Sequence, residues 1–174
     1  MPSVALGTTF VGPNSESYKI TDFLGHGAFG EVYRAVGDTS GTVVAVKLLP
    51  VGALASNDSR IALLNEMRAA EEVKHPNVVQ VLCVYDGASS QIGPYVVMEY
   101  VSGGTLAKLL RAGAQVPMNR AIEMMIDIAQ GARAINEKVI HRDIKPDNIL
   151  IEGSALKRRS GKPLSLRCYG WVLT

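Results

Sequence analysis

Cysteine is scarce: Cys83 and Cys168 are the only two in 174 residues. They lie far apart and outside any C-x-x-C spacing, which excludes a disulfide framework and a cysteine-rich zinc site. Reduced thiols and a cytoplasmic location are the expectation. Long apolar runs are missing too. The longest, residues 43–55, is interrupted by Lys47 and Pro50, well short of the ~20 apolar residues that cross a bilayer. No membrane segment is therefore expected in this chain. Residues 1–12 lack a basic segment followed by an apolar core, so no signal peptide is expected there. No internal repeat and no low-complexity block occurs.

A large excess of one charge is also absent, with 18 basic residues against 16 acidic ones. That balance conceals a division. All sixteen acidic residues lie at or before Glu152, while Lys157, Arg158, Arg159, Lys162 and Arg167 follow it. Residues 1–156 carry thirteen basic and sixteen acidic groups, a net −3, and residues 157–174 carry +5. An acidic body argues against nucleic-acid binding. What is present is an ordinary folded composition, 47% apolar and 20% charged, too apolar for a disordered chain. The length suits one domain or two small lobes.

Residues 1–16 are small and polar and read as a flexible leader. Tyr18 to Leu24 reads as a strand, and Gly25 to Gly30 is glycine-rich. Glu31 to Val36 alternates polar and apolar, a half-buried strand. A turn at Gly37–Gly41 leads to the β-branched run Thr42–Leu49, which implies an antiparallel hairpin. Asn57, Asp58 or Ser59 can cap a helix running to Val73, with Ile61, Leu64 and Met67 on its buried side. His75-Pro76-Asn77 ends it. Val78–Tyr85 and Tyr95–Tyr100 are strand-like, separated by a turn at Asp86–Gly93. After Gly103-Gly104 the pattern becomes helical: Leu106, Leu109 and Leu110 fit a short helix. Ile122, Met125, Ile126 and Ala129 mark the apolar face of a longer one after Pro117. The class is α+β, with a boundary near Val101–Gly104.

Three motifs carry chemistry. Gly25-His26-Gly27-Ala28-Phe29-Gly30-Glu31-Val32 is a G-x-G-x-x-G-x-V. Its glycines let backbone N–H groups approach phosphate oxygens, although a plain glycine-rich hairpin reads the same way. A dinucleotide-binding loop requires a helix directly afterwards, and the residues after Gly30 alternate as a strand instead. Lys47 sits in the apolar strand Val44-Ala45-Val46-Lys47, where an unpaired cation is costly to bury. It either reaches solvent at a sheet edge or meets an acidic partner or a phosphate. Glu66, Glu71 and Glu72 are on offer, Glu66 being placed best relative to the His75-Pro76-Asn77 turn. The third motif is His141-Arg142-Asp143-Ile144-Lys145-Pro146-Asp147-Asn148-Ile149-Leu150. It concentrates a carboxylate, an ammonium and a carboxamide on one loop. These can accept a hydroxyl proton, neutralise a phosphoryl group and coordinate a hard cation. The alternative is a charged turn ahead of the strand Ile149–Ile151.

In this order and spacing, from Tyr18 to Ile151, the motifs resemble those of the serine/threonine protein kinases. Lys145, two residues past Asp143, is the serine/threonine form of the signature. The texture, rich in small residues, is similar to bacterial members. The resemblance implies a protein-kinase-like fold. A five-stranded antiparallel N-lobe sheet with one main helix would span residues 17–101. An incomplete helical C-lobe would span 102–174. It implies ATP and Mg²⁺ as cofactors and a protein bearing Ser/Thr hydroxyls as substrate. Gly25, Gly27 and Gly30 would cover the phosphates. Lys47 would hold the α- and β-phosphates and pair with Glu66. Leu24, Val32, Ala45 and Leu150 would enclose the adenine, with Met98 behind it and Glu99-Tyr100-Val101 as the hinge. Asp143 would be the base, Lys145 would touch the γ-phosphate and Asn148 would bind Mg²⁺. His141 would be structural, and Cys83 a core residue.

The family's Asp-Phe-Gly, whose aspartate binds Mg²⁺, is not found after the loop. The nearest match, Asp22-Phe23-Leu24-Gly25, precedes the glycines. Residues 152–174 read either as a frameshifted or divergent ending, or as an insertion (152–170) within a hairpin. In the second and preferred reading Trp171-Val172-Leu173-Thr174 is the returning strand. The expectation is a truncated catalytic domain, inactive or weakly active alone, with apolar C-lobe surface exposed. The alternative is a nucleotide-binding, pseudokinase-like scaffold without phosphotransfer.

Overall fold

Alternation along Gly30–Gly37 decides the centre of the first unit. Tyr33 and Ala35 are fully buried while Glu31 and Arg34 are half-buried, the pattern of a strand with one face on a core. The computed structural model describes residues 2–27, 30–49, 57–87, 92–138, 143–153 and 166–168. They form two units, one of the described residues in 2–71 and 81–100, the other of those in 72–80 and 101–168.

The first unit is an antiparallel sheet of β1 (Thr9–Val11), β2 (Ser17–Gly27), β3 (Gly30–Gly37), β4 (Val43–Leu48), β5 (Val81–Tyr85) and β6 (Tyr95–Glu99), with α1 (Asn57–Glu71) between β4 and β5. The strand order is β1-β2-β3-β4-β6-β5. The sheet thus has six strands rather than the five expected. The extra one, β1, comes from the segment read as a flexible leader, and it pairs Phe10 with Tyr18. Phe10 explains why. Its ring stacks on Tyr18 (centroids 5.9 Å apart) and meets Tyr95 edge-on at 5.3 Å. The Tyr95 hydroxyl donates to the Val11 carbonyl at 2.7 Å, and that of Tyr85 to the Gly12 carbonyl at 2.9 Å. One buried aromatic and two tyrosine hydroxyls fix a stretch whose composition is otherwise loop-like.

Helix α1 packs on β5 and buries Leu63, Leu64, Met67 and Ala70. Ile61, expected on that face, is 54% exposed. Leu63 takes its place on the buried stripe.

The second unit contains α2 (Leu106–Arg111), α3 (Met118–Asn136), β7 (Ile149–Ile151) and β8 (Leu166–Cys168). The Thr105 hydroxyl oxygen caps α2 by accepting from Lys108 N. Strands β7 and β8 pair antiparallel, with Ile149 opposite Cys168 and Ile151 opposite Leu166. Cys168 also joins residues 77–79: its N–H donates to Asn77 O at 2.8 Å, and Val79 N donates to Cys168 O at 3.0 Å. The buried Asn77 side chain donates to Leu166 O at 3.0 Å. Helix α3 presses on this junction at Gly131, where an added Cβ would lie 2.4 Å from Asn77 O. Its buried residues are Met124, Gly131 and Ile135. The stripe that marked this helix in the sequence faces outward, with Ile122, Met125 and Ile126 at least 50% exposed and Ala129 exposed as well. Both stripes have helical spacing, so periodicity alone does not choose between them. Close approach at Gly131 does.

The strand that closes the hairpin with β7 is therefore Leu166–Cys168. The expected return strand Trp171–Thr174, the basic stretch Lys157–Lys162, Ala28 and Phe29 of the glycine loop, and His141-Arg142 lie outside the described residues.

Candidate functional site

In the first unit the strand register sorts the site residues. Val32 lies opposite Lys47, Lys47 opposite Val96, and Ala45 opposite Met98. Directly opposed antiparallel residues share a face, as do residues two apart on one strand. Val32, Ala45, Lys47 and Met98 therefore share one face of the sheet. The core residues Tyr33, Val44, Val46 and Val97 occupy the other. Ala45 and Met98 are buried, and Val32 and Lys47 partly so. Burial pushes the Lys47 ammonium down to about 8, because a low-dielectric setting disfavours its charged form.

Glu66 lies half-buried on α1 in the same unit. Among the described residues the ion pairs do not include Lys47 with Glu66. The helix packs on β5, and β6 separates that strand from β4. Gly25, Gly27 and Gly30 lie at the end of the β2–β3 hairpin, with Gly27 opposite Gly30 and Gly25 opposite Val32. Gly30 has φ +116°, a conformation closed to residues with a Cβ. Leu24 is 39% exposed beside them. Glu99 is half-buried opposite Val44 at the end of β6.

In the second unit the polar loop is built by a single 3-10 turn, Pro146–Asn148, entered from an extended Lys145 and leading directly into β7. Proline at the first position pre-sets that turn. Asn148 N–H donates to Lys145 O at 2.8 Å. The Asn148 carboxamide N–H₂ donates to both the Asp143 carbonyl and its Oδ2, each at 2.9 Å. Lys145 Nζ lies 2.6 Å from the same Oδ2. Three expected site residues are thus one hydrogen-bonded cluster. Asp143 keeps 25% of its side chain exposed, so an incoming hydroxyl has access to the carboxylate. Asp147, exposed, pairs with Arg111 of α2 at 3.2 Å. Leu150 is half-buried between Ile149 and Ile151 and bridges to Thr105. Val101 is half-buried at the start of the second unit's longer stretch.

The donor set bears on a cation. With both Asn148 amide hydrogens on Asp143, its carboxamide oxygen is the ligand available to Mg²⁺. No group of three His, Cys, Asp or Glu suited to a metal occurs among the described residues. The sequence offered no sign of one further contact: the Glu31 carboxylate is held by Ser3, 28 residues upstream.

Comparison with known proteins bears on the family and the fold. A family model described as protein kinase domain matches residues 18–159. A probable serine/threonine-protein kinase of Streptomyces coelicolor is 35% identical over 139 residues, which cover 77% of this chain and 20% of the relative. The serine/threonine-protein kinase PknB of Mycobacterium leprae is 32% identical over 145 residues, covering 80% of this chain and 23% of that one. The chain spans about a fifth of the length of these relatives. Among solved structures, the kinase domain of Mycobacterium tuberculosis PknI matches with a TM-score of 0.74 at 22% identity, over 97% of this chain and 63% of that one. At that identity the likeness speaks for the fold.

Proposed function

This chain belongs to the protein kinase family, and we propose that it binds ATP with Mg²⁺ and directs the γ-phosphate to Ser/Thr hydroxyls of a protein. The observation that carries this reading is the Asp143–Lys145–Asn148 cluster. In the proposed reaction the substrate hydroxyl attacks the γ-phosphorus, its proton passes to the Asp143 carboxylate, and ADP leaves. Lys145 lies 2.6 Å from that carboxylate and neutralises charge on the transferring group. Lys47 meets the α- and β-phosphates, and the Gly25–Gly30 hairpin covers them. Val32, Ala45, Met98 and Leu150 hold the adenine, whose edge is read by backbone groups from Glu99 to Val101. Bound Mg²⁺ would supply charge neutralisation at the phosphates.

One observation favours a second reading. No Asp or Glu side chain follows Glu152 among these 174 residues, so the nucleotide-contacting residues named above are those on which this reading rests. A nucleotide-binding scaffold without transfer is the alternative. We place either activity in a reducing cytoplasm, which the two free thiols support.

The test is transfer of radiolabelled phosphate from ATP to a Ser/Thr peptide library, with Asp143→Ala as control. Label lost in Asp143→Ala supports the enzyme. ATP-dependent thermal stabilisation without label supports the scaffold. Neither signal overturns both.

A further inference from the structure

Glu31 is the first residue of β3 after Gly30, opposite His26. Its carboxylate accepts from Ser3 N–H at 2.9 and 3.2 Å through its two oxygens. It also accepts from the Ser3 and Tyr33 hydroxyls. The Tyr33 hydroxyl oxygen in turn accepts from Val4 N–H at 3.2 Å. One carboxylate thus gathers residues 3 and 4 beside the glycine end of the hairpin.

The other end of that segment is anchored separately. Gly7 N–H donates to Ile20 O at 2.8 Å, and Ile20 N–H donates to Thr8 O at 2.9 Å. Beyond them, β1 joins the sheet and Phe10 enters the core. The segment is therefore firm at residues 7–12, packed against the core at Val4, and held at Ser3 by exposed hydrogen bonds to Glu31. At Gly25 the hairpin faces open space: an added Cβ there would meet nothing within 4 Å.

We infer that residues 3–12 form a strap that restrains the glycine hairpin through Glu31, making Glu31 a positioning residue for nucleotide binding. The nucleotide part rests on the reading that this hairpin covers the ATP phosphates. A hairpin released from the strap samples more conformations, and binding must then freeze them, which lowers affinity. The Ser3 and Tyr33 contacts also hold the Glu31 carboxyl below the usual carboxylate range. The carboxylate form that the strap requires is therefore the one favoured at neutral pH.

The experiment uses the full chain and the variants Glu31→Ala, Glu31→Gln and Ser3→Ala. Backbone hydrogen exchange is measured without nucleotide, and the ATP Kd by equilibrium dialysis. Glu31→Ala should speed exchange in residues 22–27 and 30–36 while β5 and β6 stay protected. It should also weaken ATP binding about three- to tenfold, the scale of a lost charge-assisted hydrogen bond at a partly exposed site. Glu31→Gln, which keeps an acceptor oxygen, should recover most of both effects, and Ser3→Ala should fall between. Unchanged exchange in the hairpin overturns the strap, and so does a uniform rise across the whole first unit. If the unmodified chain binds no ATP, the nucleotide reading fails, and the exchange pattern still decides the strap.

Discussion

Lys47 and Asp143 are the two ionisable groups on which the proposed chemistry most depends, and the fold holds them by opposite means. Lys47 stands on an apolar sheet face beside Val32, Ala45 and Met98, and burial lowers its ammonium to about 8. Asp143 stands on a loop near the surface, gripped by Lys145 and by the Asn148 carboxamide. Burial makes the cation costly, so a ligand that brings negative charge recovers what desolvation took. Hydrogen bonding makes the carboxylate ready-placed, so little reorganisation accompanies reaction. The first group suits a binding contact and the second a chemical one.

Substitutions can break that division of labour. The largest effect is expected at Asp143. Asp143→Ala should lower phosphate transfer about 10²- to 10⁴-fold, the range for a positioned general base, with ATP affinity unchanged by equilibrium dialysis. Equal losses in both would erase the contrast. Next, Lys47→Met should abolish ATP-dependent thermal stabilisation while leaving the ligand-free Tm nearly unchanged, since replacing a buried charged contact by an apolar side chain of similar volume is often close to neutral. A clear fall in ligand-free Tm would mean that the ammonium stabilises the fold instead.

Asn148→Ala should cost about 1 kcal/mol in urea unfolding, the net worth of a typical side-chain hydrogen bond. It should also slow transfer, because Asp143 then loses one of its two holds. The smallest effect is the pH dependence. The folded Lys47 value near 8 lies below the ordinary 10.5. Between them the unfolded chain binds more protons, so this group's contribution to stability rises as pH rises. Cys83 and Cys168, pushed up by burial to about 12 and about 11, act oppositely above their ordinary value of 9.0. The check is therefore the difference between the unmodified chain and Lys47→Met across this range. A flat difference would remove the burial argument.

Much of the site was legible because its cues are local. The Glu31–Val36 alternation, the Gly37–Gly41 turn and the apolar run around Lys47 each fit in a window of ten residues, and β3 and β4 follow them. The string from Asp143 to Asn148 likewise closes on itself within one turn. What escaped the sequence depends on distant partners. Phe10 orders the leader only because Tyr18 and Tyr95 meet it. The outward and inward stripes of α3 have the same period, and only the neighbours of Gly131 separate them. Strand β8 is three residues, Leu166–Cys168, too short for any periodic signal. The Lys47–Glu66 pairing came with the family resemblance, and the packing of α1 on β5 does not supply it.

The junction of Asn77 with Leu166 and Cys168 has a consequence for the order in which the protein is made. The Asn77 amide donates to a carbonyl 89 residues later in the chain. At a synthesis rate of about 5–20 residues per second, those partners follow about 5–20 s after Asn77 itself. Through that interval the amide and carbonyl of residue 77 must stay hydrated. Helix α3 emerges before the strand that Gly131 is shaped to receive, so the ribosome imposes a waiting period that refolding from denaturant does not. Refolded chains and nascent chains should therefore reach this junction by different routes, the nascent one with α3 formed first and β8 docked last.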